Sequence, residues 1–273
     1  MKPAGAAMTQ EEYLLLNELI SGQFGISFPE HKREVLESRL RPRLRALSLD
    51  RYWDYYLQLQ CDAVGERARL AELVTNNETF FFRETHPIEA FFEEAAPRTG
   101  ALRVLSAGCS SGEEPYTLGI YARQNTVRLG SAGVTIDAFD LDATRIEAAR
   151  RGEYGRSSLR SATPEQAERY FTAAGPERWV LKAPFRDGVR FAWGNILDLP
   201  TFRNGAPYDA VFCRNVLIYF SEAALHRAVR NFAEVLRPGG FLFLGASESI
   251  IGLSDRFETV RLARSIAYRR VAP

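Results

Sequence analysis

Asn77, Thr79 and Arg83 lie within one short stretch, NNETFFFRETH at 76–86, with three consecutive phenylalanines among them. An amide, a hydroxyl and a guanidinium beside aromatic rings can hold a polar ligand. A ring face favours a cation, and the guanidinium fork grips a carboxylate. Further along, AGCSSGEE at 107–114 offers small residues that let backbone approach a ligand closely. It ends on Glu113 and Glu114. VTIDAFDLD closes on Asp140 and Asp142, GNILDLP spans 194–200, and CRNVLIYF spans 213–220.

These groups restrict the ligand. Two adjacent carboxylates repel a pyrophosphate, and the loop lacks the G-x-G-x-x-G fingerprint of dinucleotide binders. The acids suit a ligand with hydroxyls and a positive centre. An acid after the second strand of such a sheet usually holds a ribose, and Asn195-Ile196 suits the edge of an adenine. A nucleoside that carries a cation and no phosphate fits S-adenosylmethionine. Each signal alone is modest, but their order (loop, acid, Asn-Ile) is more specific.

Two kinds of element must position these residues. Up to about residue 90 the pattern is helical. Thr9 with Glu12 reads as a capping box, and Leu36, Leu40, Leu44 and Leu47 recur at helical spacing, with Pro42 a potential kink. Further helices are expected through RYWDYYLQLQ and ERARLAELV, with Trp53, Tyr55 and Tyr56 as core. From residue 101 short apolar strands alternate with helices at 115–123, 143–150 and from Ser221 to a stop at RPGG. That alternation predicts a doubly wound α/β domain with a mostly parallel sheet. Its ligand lies beyond the strand ends. Residues 152–188 break the rhythm. Thr163 and Gln166 frame a capped helix and RWVLK a strand, so a small inserted subdomain is expected. The predicted organisation is a helical domain at 1–75, a linker at 76–100 and an α/β domain at 101–273.

Composition excludes several classes. A net charge of +1 over 273 residues provides no global attraction to nucleic acid or membrane. No stretch approaches the roughly 20 apolar residues of a membrane span, and MKPAGAAMTQ lacks the core of a secretory signal. Three scattered cysteines suggest neither disulfides nor a metal site. Cys109 and Cys213 are expected to be packing residues, and a cytoplasmic setting is the simplest.

NNETFFFR, SAGCSSGEEPYTLGI, AFDLD, GNILDLP and CRNVLIYF, in that order, carry a resemblance across nearly the whole chain. The chain resembles the CheR family of chemotaxis receptor methyltransferases. The resemblance implies a Rossmann-like S-adenosylmethionine-dependent domain, an N-terminal helical domain and a small inserted β-subdomain. It implies methyl transfer to glutamate carboxylates of chemoreceptors by a monomeric protein-glutamate O-methyltransferase, with S-adenosylhomocysteine as product and no metal. Carried onto this sequence, it assigns Asn77, Thr79, Arg83, Asp140, Asn195, Ile196, Arg214 and Asn215 to the cofactor site. The loop acid falls on Glu114, with Glu113 the second choice. Arg83 and Tyr219 would handle the incoming carboxylate. One of Phe80, Phe81 and Phe82 would face the cofactor, and others would anchor the linker in an interdomain core.

The chemistry fits. A glutamate with a pKa of about 4.3 is already ionised at neutral pH and needs no general base, so alignment and electrostatics are the protein's work. Residues 30–47 hold six Lys and Arg residues against three Glu. The family places receptor methylation helices against this domain. Some members also capture a receptor C-terminal peptide by strand addition on the insert. Here the insert's loop is short and poor in glycine, which points to a tether-independent enzyme. The alternative function is methyl transfer by the same fold to another protein or a small carboxylate. A nucleic-acid methyltransferase is disfavoured, because the strand that would carry its Asn/Asp-Pro-Pro-Tyr motif reads CRNVLIYF.

Overall fold

Residues 7–61, 65–95, 100–130, 133–198 and 205–272 are described by the computed structural model. They fall into two units. Residues 1–76 and 219–225 make the first, and 77–218 with 226–273 make the second.

The first unit is helical, as its spacing predicts. In α1 (Gln10–Phe24) the Thr9 side chain accepts the Glu12 N–H, and the Glu12 carboxylate accepts the Thr9 N–H at 2.8 Å. Gly25 ends the helix in the left-handed region at φ 80°. A 3-10 turn (Glu30–Lys32) leads into α2 (Arg33–Ala46), which continues through Pro42. Then come α3 (Tyr52–Cys61) and α4 (Gly65–Val74). Leu16, Ile20, Leu36, Leu40, Tyr55, Leu59 and Leu70 are fully buried. Trp53 does not join this core. It is 37% exposed, because it follows Tyr52 on the helix and faces away from the stripe Tyr52, Tyr55, Leu59. The chain returns to this unit at Tyr219, whose carbonyl accepts the Ser27 N–H at 2.8 Å.

Several basic residues of α2 hold this unit together. Arg43 grips the buried Glu66 with Nε at 2.7 Å and Nη2 at 2.5 Å. Arg39 donates to the Val74 carbonyl at 2.5 Å and the Thr75 carbonyl at 2.9 Å, satisfying the C-terminal end of α4.

The second unit is built on a seven-stranded sheet. Its strands are β1 (Leu102–Ala107), β2 (Val134–Asp140), β6 (Val189–Trp193), β7 (Tyr208–Cys213), β8 (Leu236–Leu244), β9 (Phe257–Arg261) and β10 (Ile266–Arg270). They lie in the order β6-β2-β1-β7-β8-β10-β9. The first five are parallel, and β10 runs antiparallel to both β8 and β9. Connecting helices are α6 (Glu113–Gln124), the short α7 (Thr126–Leu129), α8 (Ala143–Arg151) and α10 (Glu222–Val235). Within the stretch expected as a linker, residues 86–94 form α5 (His86–Glu94). Its Ile88, Phe91 and Phe92 join the sheet's core with Val104, Phe212 and Phe243.

The helix from Ser221 stops just before RPGG, as expected, and RPGG itself continues as strand. The helix ends at Val235, and Leu236 opens β8. Pairing with β7 jumps from Tyr208↔Leu236 to Ala210↔Phe241, so residues 237–240 form an irregularity in the strand. Pro and Gly are tolerated where pairing lapses.

The insert contains β3 (Glu153–Gly155), α9 (Pro164–Tyr170), β4 (Phe171–Gly175) and β5 (Arg178–Leu181). The strands make an antiparallel sheet in the order β3-β5-β4. The expected capping box between Thr163 and Gln166 is present. Here the phenylalanine run finds its anchor. Phe81 meets Tyr154 edge-on at 4.7 Å and Phe171 at 4.8 Å, and Phe82 lies 5.9 Å from Tyr170. Their packing partners are therefore aromatic rings of the insert and α6, within one cluster of the second unit.

Candidate active site

Parallel register brings the ends of β1, β2, β6 and β7 to one rim of the sheet. The loop after β1 turns on Gly108 and Gly112, at φ 80° and 92°. Both positions are crowded. A Cβ on Gly108 would meet Val216 Cγ2 at 2.6 Å, and one on Gly112 would meet Ala149 Cβ at 2.8 Å. Only glycine allows this loop to lie against the segment after β7 and against α8.

Asp140, at the end of β2, is buried. Its carboxylate accepts the Ser110 N–H at 2.7 Å and the Asp142 N–H at 2.9 Å. Burial pushes its pKa up to about 6, against the backbone donors that favour the ionised form. Asp142, equally buried, has a different task. It is the N-cap of α8, accepting the Thr144 N–H at 2.9 Å and the Thr144 hydroxyl at 2.6 Å. Its second oxygen accepts the Asn77 amide at 2.7 Å, and the Asn77 carbonyl accepts the Ser110 hydroxyl at 3.1 Å. Asn77 is thereby tied to both acidic loops.

The structure also separates Glu113 from Glu114. Glu114 accepts the Ser106 hydroxyl at 2.7 Å and Nη1 of Arg214 at 3.2 Å. Burial raises its pKa, opposed by Arg214. Glu113 accepts the hydroxyls of Ser111 and of Ser158 in the insert, each at 2.8 Å. It is buried, with its pKa raised by desolvation. Arg214 donates Nη2 to the Arg83 carbonyl at 2.8 Å and the Glu84 carbonyl at 3.1 Å. Its buried Nε has no acceptor among the described residues. Arg83 itself donates Nη1 to the Glu78 carbonyl at 3.1 Å, and its guanidinium lies over Phe80 at 5.4 Å. Thr79 is half-buried between them in the chain.

Asn215 adopts φ 61°, and Glu248 holds that turn. The Glu248 carboxylate accepts the N–H groups of Asn215, Val216, Leu217 and Gly245 at 2.7–2.8 Å. Beyond β6, the Asn195 side chain accepts the Leu197 N–H at 3.0 Å, and Ile196 is buried. Asn231 of α10 donates to the Ile196 and Leu197 carbonyls at 2.8 and 2.9 Å. Leu199 and Pro200 of the GNILDLP stretch lie outside the described residues. Tyr219 belongs to the first unit, where its hydroxyl accepts the Asn76 amide at 2.5 Å. Cys109 and Cys213 are buried with thiol pKa values pushed well up by desolvation, which suits packing rather than nucleophilic chemistry.

Glu248 and Asn231 are the residues that motif reasoning misses. An acid after a fifth strand is the only sequence signal for the first, and the second is one polar residue on a helix.

Residues 77–266 match the SAM binding domain of CheR methyltransferase, and residues 11–75 match the all-alpha domain of CheR methyltransferase. The chain belongs to the CheR methyltransferase family. Among its relatives is chemotaxis protein methyltransferase 1 of Pseudomonas aeruginosa, 35% identical, with 94% of this chain and 97% of that one covered. The chemotaxis protein methyltransferase of Escherichia coli is 34% identical, covering 92% of this chain and 88% of the relative. That of Klebsiella aerogenes is 36% identical, covering 92% and 87%. The carboxylate-rich rim lies within the residues that match the SAM binding domain.

Proposed function

We propose that this chain methylates glutamate side chains of chemoreceptors, using S-adenosylmethionine and releasing S-adenosylhomocysteine. The observation that carries the reading is a buried rim of carboxylates, with Glu114 bonded to Arg214, in a chain that matches both CheR domains. The residues fit the cofactor. No basic side chain pairs with Asp140 among the described contacts, so its carboxylate suits ribose hydroxyls. The orphaned Nε of Arg214 is a donor in want of an acceptor.

When bound, S-adenosylmethionine supplies an electrophilic methyl group on a sulfonium. The chain's residues do the rest. Asp140, Asn77, Thr79, Asn195, Ile196, Arg214 and Asn215 are the proposed binding set. Glu114 holds Arg214 in place and contributes negative charge near a cationic ligand. Arg83 and Tyr219 orient the incoming carboxylate, Tyr219 on the strength of its place in RNVLIYF. The nucleophile arrives ionised, so no side chain need take a proton. Arg83 positions rather than neutralises, since a carboxylate held too tightly would be a poorer nucleophile.

The helical domain at 1–75 is proposed to meet the receptor's methylation helices, and 101–273, with its insert at 152–188, to carry out transfer. A cytoplasmic monomer without metal or nucleic-acid partner fits this role. Among the described residues no helix is long and apolar enough to cross a membrane.

Peptide tethering is not expected. The pairing of the edge strand β4 with β5 has a register shift between Ala173 and Gly175, and Gly175 sits at φ 138°. Such an irregularity interrupts the ladder that an added strand needs. Titration with a receptor C-terminal peptide should release no binding heat. Saturable binding would instead assign this insert a tethering role. The function itself is tested by methyl transfer to receptor-containing membranes.

A further inference from the structure

Glu78, Phe80, Arg83 and Arg160 form a second cluster beside the carboxylate rim. The Arg160 guanidinium lies 3.7 Å from the centroid of the Phe80 ring, and Arg83 lies 5.4 Å from the same centroid. One aromatic side chain therefore carries two cations, one from the segment before the sheet and one from the insert. Arg160 also donates Nη1 to the Ser157 carbonyl at 3.0 Å and Nη2 to Glu78 at 2.8 Å.

These contacts differ in strength. The Arg160 and Glu78 side chains are 37% and 68% exposed. An ion pair that open to water contributes little. Stacking on the ring and the bond to Ser157 order the guanidinium. Glu78 is thus an exchangeable partner on a fixed cation. Another carboxylate can replace it while Arg160 stays on Phe80. Arg83, on the same ring, is the residue proposed above to orient the carboxylate that is methylated.

We propose that Arg160 is a specificity-determining residue that reads a second carboxylate of the protein substrate, next to the glutamate held by Arg83, with Glu78 as its internal stand-in. The inference rests on the methyltransferase reading and on Arg83's place in it. The substrate it selects is an acidic helix. Carboxylates one turn apart on a helix have Cβ atoms roughly 5–6 Å apart, a spacing that two guanidiniums sharing one ring can serve.

The test is steady-state methyl transfer by the full chain from tritiated S-adenosylmethionine to receptor-containing membranes, with Arg160→Ala, Arg160→Lys and Glu78→Ala variants. Arg160→Ala should raise the receptor KM about tenfold, the scale of one charge-assisted contact, and Arg160→Lys should recover part of the loss. Glu78→Ala should lower the receptor KM, because it removes the competitor. Calorimetry should give all three the wild-type Kd for S-adenosylmethionine. If Glu78→Ala raises KM in step with Arg160→Ala, the pair is a clasp of the fold and the inference is wrong. An unchanged KM in Arg160→Ala, with the wild type active, contradicts this inference alone. Absence of turnover by the wild type contradicts the methyltransferase reading, and this inference with it.

Discussion

Asp140 couples the site to pH. Its pKa is raised to about 6, so the folded chain holds this proton more tightly than the unfolded chain does. Its contribution to stability is fully present below about pH 4 and is lost as pH rises through about 6. A ligand that prefers the ionised acid offsets that loss. The thermal shift produced by S-adenosylmethionine should therefore grow between pH 5 and 7 and then level off, and Asp140→Asn should abolish the pH-dependent part. A shift independent of pH in the wild type would show that Asp140 does not meet the cofactor. Arg83 belongs to the same scale. Arg83→Ala should lower turnover about a hundredfold, as for loss of a transition-state contact, and leave the cofactor Kd within a few-fold by calorimetry. Affinity lost in proportion to activity would make Arg83 mainly a binding residue. At this scale the motifs were legible in sequence because they are local. Glu248 was not, because its acceptor role depends on β8 ending beside the turn at Asn215, 33 positions earlier in the chain.

At the scale of elements, α2 changes meaning. Its sequence reads as a basic docking face, but Arg39 and Arg43 are occupied by Val74, Thr75 and Glu66. Charge reversal at Arg43 should destabilise the helical unit by about 3 kcal/mol, as expected when one partner of a buried pair is removed. Denaturant unfolding measures this. The exposed Lys32 and Arg45 are the better probes of receptor docking: reversing both should raise the receptor KM without shifting the unfolding midpoint. A second element-level prediction concerns the turn after β7. Glu248→Ala leaves several N–H groups without their shared acceptor, so it should lower stability by about 2–4 kcal/mol and weaken cofactor binding through Arg214 and Asn215. Wild-type cofactor affinity in a folded variant would separate the turn from the site. Helices and parallel strands were legible here because their apolar periods are clear. The β9–β10 hairpin was not. Its strands FETVR and IAYRR are rich in charge, and pairing such as Arg269 with Glu258 at 2.8 Å hides the alternation.

For the whole molecule, the order of motifs along the chain was the most informative signal. It located the acids, the Asn-Ile turn and the RNV segment at successive strand ends of one sheet, and the topology agrees. Burial of phenylalanines from the 80–82 run was expected, but not their place: Phe81, Phe82, Ile88, Phe91 and Phe92 are core of the second unit. Three aromatic residues in a row make sense once the insert provides rings for Phe81 and Phe82 and the Arg160 guanidinium for Phe80. The central claim is that this rim directs a methyl group onto a protein carboxylate. The most direct measurement incubates the full chain with tritiated S-adenosylmethionine and chemoreceptor-containing membranes, then treats the labelled receptor with mild base. The account predicts receptor-bound label released as volatile methanol, and no label when the receptor glutamates are replaced by alanine. Label that is stable to base, or that appears on no receptor, would contradict it.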